Sequence, residues 1–451
     1  MVGATNITTL FVIFVLDLTH KRMAGEVLMV QRLEVGKIQT ANPETVKSVN
    51  RTITLDLVRQ LQPISRADIA RVSGLNRSTI SAIVYELLEE GLLVETGPSE
   101  SGGRGRPGIL LQLNADNMKC IVIDVGVRES RLLMGDVLAN IECLTSFPTP
   151  CNPNMFVRQC CEELDGVFQD KHPKGLRGIT ISLPGLIDRN SGLVCIAPNL
   201  GWYDLDLGVR FAERYGLPVY VENEAKLCAI AEMYHGATRV EPNYAFISVT
   251  EGLGVGLVLN NELYQGVSGA AGEFGHMLID PNGPRCGCGK HGCWETFASE
   301  TASVRYYLGL SDGHAFSPSE AAVVGFERII SDAKNGDVRA LSTIERMSHY
   351  LGVGIANIVN GLNLKLIIMG GRILQAWNFV EPVLHRSLAE YTLPSLGLGL
   401  RVEPSSLSES NVIGAIVRGV SSVFEGITLA SRPSSKAKRM DFGARLRNRS
   451  G

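Results

Sequence analysis

From Glu44 onward, apolar residues recur at three- and four-residue steps: Val46, Val49, Ile53, Leu57 and Leu61. That period predicts an amphipathic helix, which Pro63 ends. Ser65 then opens S-R-A-D-I-A, and Asp68 three positions on forms a capping-box-like pair for a short second helix. Val72, Ser73 and Gly74 supply a turn. Asn76 caps a third helix that ends at Gly91, with Ile80, Ile83, Val84, Leu87 and Leu88 as its core-facing stripe. LLVETG (92–97) and ILLQLN (109–114) read as two strands of a wing around a glycine-rich loop, 101–108. Further on the pattern changes. Residues 120–125 (CIVIDV), 131–137 and 179–183 read as strands, and a helical run over 339–362 leads into a strand at 365–369. Strands alternating with helices predict an α/β body in layers. The expected organisation is an unassigned N-terminal extension (1–43), a winged helix-turn-helix head (44–115), an α/β body (118–430) and a basic tail (431–451).

The first forty residues fit no folded domain. LFVIFVLDL, 10–18, is too short to span a bilayer and contains Asp17. No basic residue precedes it and no cleavage site follows, so no secretory signal is expected. Met23 and Met29 are alternative starts, so an over-long start is expected. The tail carries seven basic residues against Asp441 and is expected to be disordered.

The 451 residues are 45% hydrophobic and 20% charged, enough for a sizeable core. The net charge of −3 gives no overall nucleic-acid signature, so any DNA-binding surface must be local. Such a surface is present in the pattern. A short helix, a glycine turn and a capped helix with a basic, hydroxyl-rich start follow helix-turn-helix grammar. Arg77 suits guanine, and Ser78, Thr79 and Ser81 suit phosphate or base contacts. Arg104 and Arg106 in the wing loop suit a minor groove. A small helical bundle that binds no DNA is the competing reading.

The densest chemistry lies in GHMLIDPNGPRCGCGKHGCWE, 275–295. His276, Cys286, Cys288 and Cys293 make a closed set for one tetrahedral, structural Zn2+. Gly287, Gly289 and Gly292 are expected to provide positive φ angles for a tight knuckle. The other seven cysteines have no disulfide spacing and imply a reducing cytoplasm. Glu273 and Glu295 bracket the knuckle. Held rigid, they could accept hydrogen bonds from sugar hydroxyls; left loose, they would be solvated surface acids.

G-E-F-G-H followed by C-x-C-G-x-x-G-C-W-E resembles the zinc signature of the ROK family of sugar kinases and sugar-responsive repressors. The resemblance covers about 46–425 and implies a two-lobed, actin-like ATPase fold. It implies that His276 ligates zinc and faces the sugar, with Glu273 and Glu295 on sugar hydroxyls. The winged head resembles that of the family's repressors, which its kinases lack. APNLGWYD, 197–204, resembles the substrate loop, where Asn199 and Trp202 could line the site; Trp202 fits a core position equally well.

Three loops depart from the kinase pattern. D-x-G-G-T becomes Asp124-Val125-Gly126-Val127-Arg128, and β-branched Val127 resists the close backbone approach that phosphates need. G-T-G becomes Thr250-Glu251-Gly252, placing a carboxylate where polyphosphate would sit. The general-base aspartate of N-D-A-N becomes Glu224 in Asn223-Glu224-Ala225-Lys226. Asn223 and Glu224 stay plausible sugar contacts, with Glu224 a vestigial base.

The expectation is a non-enzymatic cytoplasmic repressor, a homodimer or homotetramer on an inverted-repeat operator, that takes a sugar or sugar-phosphate effector and has no membrane contact. A sugar kinase with an appended head and a protein-docking scaffold are the alternatives.

Overall fold

The first helix forms where the pattern placed it, but the stripe that revealed it faces outward. In the computed structural model, which describes residues 43–98, 107–171, 174–189, 191–236, 241–310 and 325–424, α1 spans Pro43–Leu61. Thr54, Leu55 and Val58 are its buried residues, whereas Val46, Val49, Ile53 and Leu61 are exposed. α1 carries two apolar stripes, and the shorter one meets the head's core. α2 (Arg66–Ser73) starts at Ser65, whose hydroxyl accepts from the Asp68 amide at 3.2 Å and donates to the Asp68 carboxylate at 2.7 Å. The pair therefore closes through the hydroxyl. Gly74, at φ 71°, ends the helix. α3 (Arg77–Glu89) buries Ile80, Ile83, Val84 and Leu87. Asn76 takes the N-cap position, but its side chain makes no capping bond. The wing has three strands: β1 (Ile64–Ser65), β2 (Leu93–Pro98) and β3 (Ile109–Leu113), in the order β1-β3-β2 and antiparallel. The two-residue β1 left no periodic signal.

The body holds two five-stranded sheets. In the first lobe, β4 (Lys119–Val125), β5 (Glu129–Asp136), β6 (Ile141–Pro148), β7 (Leu176–Leu183) and β11 (Val219–Asn223) run in the order β11-β7-β4-β5-β6. β8 (Leu186–Asp188), β9 (Leu193–Ala197) and β10 (Trp202–Asp206) form a small antiparallel sheet beside it. The second lobe contains β12 (Tyr244–Val249), β13 (Leu253–Leu259), β14 (Glu262–Leu263), β15 (Leu366–Gly371) and β16 (Arg401–Pro404), in the order β14-β13-β12-β15-β16.

One helix, Glu224–His235, lies between the lobes and is buried from Ala225 through Glu232. Its two buried charged residues are bonded there, Lys226 to the Gly269 carbonyl and Glu232 to the Ser405 hydroxyl at 2.5 Å. Its close approach to β13 depends on glycine, because a Cβ at Gly256 would stand 2.4 Å from the Ala225 carbonyl oxygen. Its N-terminus points Asn223 and Glu224 into the cleft. The long helix Val338–Leu362 and the helix Trp377–Tyr391 pack together in the second lobe, while Ser410–Val420 returns to the first.

The core does not stop where the head was expected to end. Leu93, Leu111 and Leu113 of the wing share one buried cluster with Met118, with Cys120 and Val122 of β4, and with Leu227, Val412 and Ile416. The joint is pinned as well. Asn117 donates its side-chain amide to the Gly91 carbonyl at 3.1 Å, and its own carbonyl accepts from Arg177 at 2.7 Å. The Arg59 guanidinium of α1 lies 4.3 Å from the Tyr234 ring centre on the central helix. Residues 1–42, the wing loop with Arg104 and Arg106, and the tail lie outside the described residues. Among the described residues, no helix is long and apolar enough to cross a membrane.

Candidate functional site

A cavity of about 420 Å³ opens between the lobes, within the usual range of small-molecule pockets. Asn223, Glu224, Glu273, His276 and Glu295 all line it. Local geometry explains how residues so far apart in sequence meet there. Glu273–His276 is a 3-10 turn, which eclipses residues three apart. Hence Glu273 Oε2 lies 3.9 Å from His276 Nε2. Gly275 is required within the turn, since a Cβ would stand 2.2 Å from the Leu253 carbonyl oxygen. Glu295 follows the knuckle, with Oε1 3.5 Å from His276 Nδ1 and 2.8 Å from the Cys286 thiol that donates to it.

The knuckle itself is irregular backbone. Cys286 N–H donates to the Lys290 carbonyl at 2.8 Å, and Gly289 N–H donates back to Cys286 at 2.9 Å. Gly289 and Gly292 adopt φ 87° and 70°. Gly287 does not have positive φ, contrary to expectation. It is small because Pro198 of the substrate loop would lie 3.3 Å from its Cβ. Trp294 is fully buried against Gly354 of the long helix and donates to the Tyr350 carbonyl at 2.8 Å, which fixes the knuckle to the second lobe.

The four candidate ligand atoms lie within 4.8 Å of one another. Cys288 and Cys293 sulfurs are 3.7 Å apart, and Cys286 Sγ is 3.5 Å from His276 Nδ1. Ligands at tetrahedral angles around one zinc ion stand roughly 3.6–3.8 Å apart. The donor set therefore fits a single tetrahedral ion through Nδ1. Burial pushes the Cys293 thiol up to about 11 and raises Cys286 further, with Glu295 adding to the latter. A bound dication would reverse this and deprotonate the coordinating thiols. His291 contacts the Gly283 carbonyl and stands apart from the set.

The remaining predicted contacts divide. Asn223 reaches the cavity, but its amide is already engaged: Oδ1 accepts from Ala225 N–H at 2.9 Å and Nδ2 donates to the Gly185 carbonyl at 3.0 Å. Asn199 also lines the cavity. Trp202 is core instead, 1% exposed, 4.9 Å from the Phe156 ring and bonded to the Cys151 carbonyl. Burial pushes the Glu224 carboxyl up to about 7; Asp124 and Glu251 add to the shift, and a long hydrogen bond from Thr250 opposes it.

Val127 and Glu251 line the same cavity. The acids there are clamped. Asp124 accepts from Arg131 Nη2 and from Asn411, each at 2.7 Å, and Arg131 also meets Glu409 at 2.8 Å. Arg372 binds Glu300, Glu327 at 2.8 Å and Glu251 at 3.1 Å. Burial still holds Glu300 up at about 7 against the pull of Arg372. Neither clamp was visible as a motif.

On α3, Arg77, Ser78 and Ser81 are exposed and Thr79 is half-buried. Tyr85, 63% exposed one turn beyond Ser81, extends the same face and was missed, although its spacing from Ser81 gave the signal. Five basic side chains of the head are in ion pairs, including Lys47–Glu86 and Arg51–Glu90. Among the described residues, Arg77 has no such partner.

Two sheeted lobes around a cleft, with a winged head in front, define a two-lobed actin-like ATPase fold carrying a helix-turn-helix. The ROK family model matches residues 120–417, and the chain belongs to the ROK family. It is 34% identical to the xylose repressor of Bacillus spizizenii over 82% of this chain and 94% of that protein. A ROK family transcriptional regulator homologous to the Escherichia coli MLC protein has a similar structure: TM-score 0.71, 29% identity, 85% of this chain and 98% of that one. A ROK family glucokinase from Streptomyces griseus, solved with glucose and AMPPNP, gives TM-score 0.57 at 27% identity over 66% of this chain and 98% of that one. The match to the regulator reaches the winged head; the match to the kinase covers two thirds of the chain.

Proposed function

We propose that this protein is a sugar-responsive transcriptional repressor. The head binds an inverted-repeat operator as part of a symmetric dimer, through the Arg77 end of α3 and the wing. The body binds a saccharide through Glu273, His276, Glu295 and Glu224, with Asn223 capping the helix that carries Glu224. The observation that carries this reading is the convergence of those side chains on one cavity behind an intact winged head. His276, Cys286, Cys288 and Cys293 would hold a structural zinc ion. Its role is to fix His276 and Glu295 in place; a thiolate Cys286 can no longer donate to Glu295, which leaves that carboxylate for a sugar hydroxyl. The reading excludes catalysis. It is supported by Val127 and Glu251 at the phosphate end, where a carboxylate opposes polyphosphate and Arg372 is already shared among acids.

Sugar binding can act on operator affinity only through its differential affinity for two arrangements of the lobes. Xylose is the first sugar to test, given the name of the relative. Purified protein should retard its own promoter DNA, with retardation weakening steeply as salt rises and released by the cognate sugar. Arg77→Ala should lose site preference by about 1–3 kcal/mol. Steady ATP consumption with any hexose would overturn the non-enzymatic part of the proposal.

A further inference from the structure

We infer that Lys226 is a positioning residue for the sugar site: from inside the central helix it holds the loop 264–272, and through that loop it fixes Glu273. The inference rests on the saccharide reading above and adds to it a residue that is not part of the cavity lining. Lys226 stands where the kinase pattern N-D-A-N has asparagine, so the strut belongs to this chain and not to that pattern.

Lys226 is 3% exposed, a position an ammonium group keeps only when it is held by partners. Its Nζ donates to the Gly269 carbonyl and stands 4.0 Å from the buried Glu222 carboxylate. Glu222 lies on β11, directly before the helix, so that pair is local. The bond to Gly269 reaches a distant part of the chain, the loop that follows β14 of the second lobe.

That loop needs an anchor. Gly266, Gly269 and Gly272 adopt φ 66°, 85° and 93°, and glycine loses more freedom on ordering than any other residue. Val267 and Ser268 at the tip are exposed and contribute little burial. Gly269 is the buried point. It is seated against the end of β8 in the first lobe, where a Cβ would stand 2.9 Å from Arg189 Cβ and 3.2 Å from the Ile187 carbonyl oxygen. Lys226 therefore grips the loop where it crosses onto the other lobe. The next seat is Gly272, whose Cβ would stand 2.5 Å from the Val255 carbonyl oxygen. Gly272 caps the 3-10 turn that begins with Glu273. A carboxylate that follows directly on a glycine-rich loop is only as fixed as the loop. The Lys226 charge also acts on Glu273 from a distance, so tether and charge converge on the same carboxylate.

The test is a double-mutant cycle read by calorimetric titration of the full-length, zinc-loaded protein. The probe is whichever of xylose, glucose and N-acetylglucosamine binds the wild type. Every variant carries Glu222→Gln, so that removing the ammonium group strands no buried carboxylate. In that background Lys226→Met should weaken sugar binding by about tenfold while zinc content is retained. With Glu273→Ala also present, the same change should cost less than about twofold. Amide exchange across 264–272 should quicken in Lys226→Met. Lys226→Arg, which keeps both donor and charge, should restore most of the affinity. Should the methionine variant not fold, Lys226→Gln gives the same comparison, and its loss too must vanish beside Glu273→Ala. A loss of equal size with and without Glu273 overturns the inference, as does no loss at all. So does a loss through Glu273 that leaves exchange of the loop unaltered, since charge alone would then be acting. If the wild type binds none of the three sugars while operator binding is intact, the saccharide reading itself fails and this inference falls with it.

Discussion

The two ends of the cleft are both acidic, but their acids are held differently. At the end facing Val127, Asp124, Glu251 and Glu300 each lie against an arginine. At the knuckle end, Glu273 and Glu295 face His276, Glu295 also accepts from a thiol, and the Lys226 charge acts on Glu273 from a distance. Acids locked against an arginine are scaffolding, whereas acids that no arginine contacts among the described residues are available to a ligand. The contrast separates acids built into the fold from acids open to a ligand, within a fold shared with a glucokinase.

The largest expected effect comes from removing the feature that holds the knuckle end still. Cys288→Ser should reduce metal content, measured by elemental analysis, well below one zinc per chain. The sugar-dependent release of operator DNA should disappear with it. If zinc and response both survive, the ligand set is wrong.

A paired comparison sharpens the contrast. Arg372→Met leaves buried Glu300 without its partner and should cost about 2–4 kcal/mol of stability in denaturant unfolding. Glu273→Ala should cost little stability but about 2–3 kcal/mol of sugar affinity, because hydroxyl contacts to a fixed charge are lost. If Arg372→Met proved neutral and Glu273→Ala unfolded the protein, the assignment of the two ends would be reversed.

A smaller effect reports on Glu224. Its folded-state carboxyl is raised from 4.5 to about 7, so the folded protein binds this proton more tightly than the unfolded chain does. The associated stability is fully present below pH 4.5 and is lost as pH rises through about 7. Glu224→Gln should therefore stabilise the protein at alkaline pH by up to about 3 kcal/mol, with the gain fading as pH falls toward 4.5. Unfolding midpoints across that range check this, and a pH-independent difference would reject the buried-acid account.

The knuckle was legible because zinc chemistry fixes ligand type and spacing within a few residues, so four side chains declare themselves locally. α3 was legible for a similar reason, its stripe being one continuous helical period. The buried face of α1 could not be read, because it carries two stripes and only tertiary packing chooses between them. Gly287 was misassigned because a glycine needed for space looks the same in sequence as one needed for φ. The arginine clamps could not be read at all. Arg372 lies 121 residues from Glu251 and 72 from Glu300, and nothing local marks either pairing. Trp202 was open between the sugar site and the core on sequence alone, and the interior claimed it.

The apolar cluster that runs from Leu93 and Leu113 into Met118, Val122 and Leu227 carries an engineering consequence. The DNA reader is not a detachable cassette. Severing the chain near Asn117 would strip greasy surface from both pieces, and grafting the reader onto a foreign receptor would require rebuilding that seam. Because α3 and the first lobe share that core, a tilt of the lobe would carry α3 with it, as the arm of a balance carries its pan.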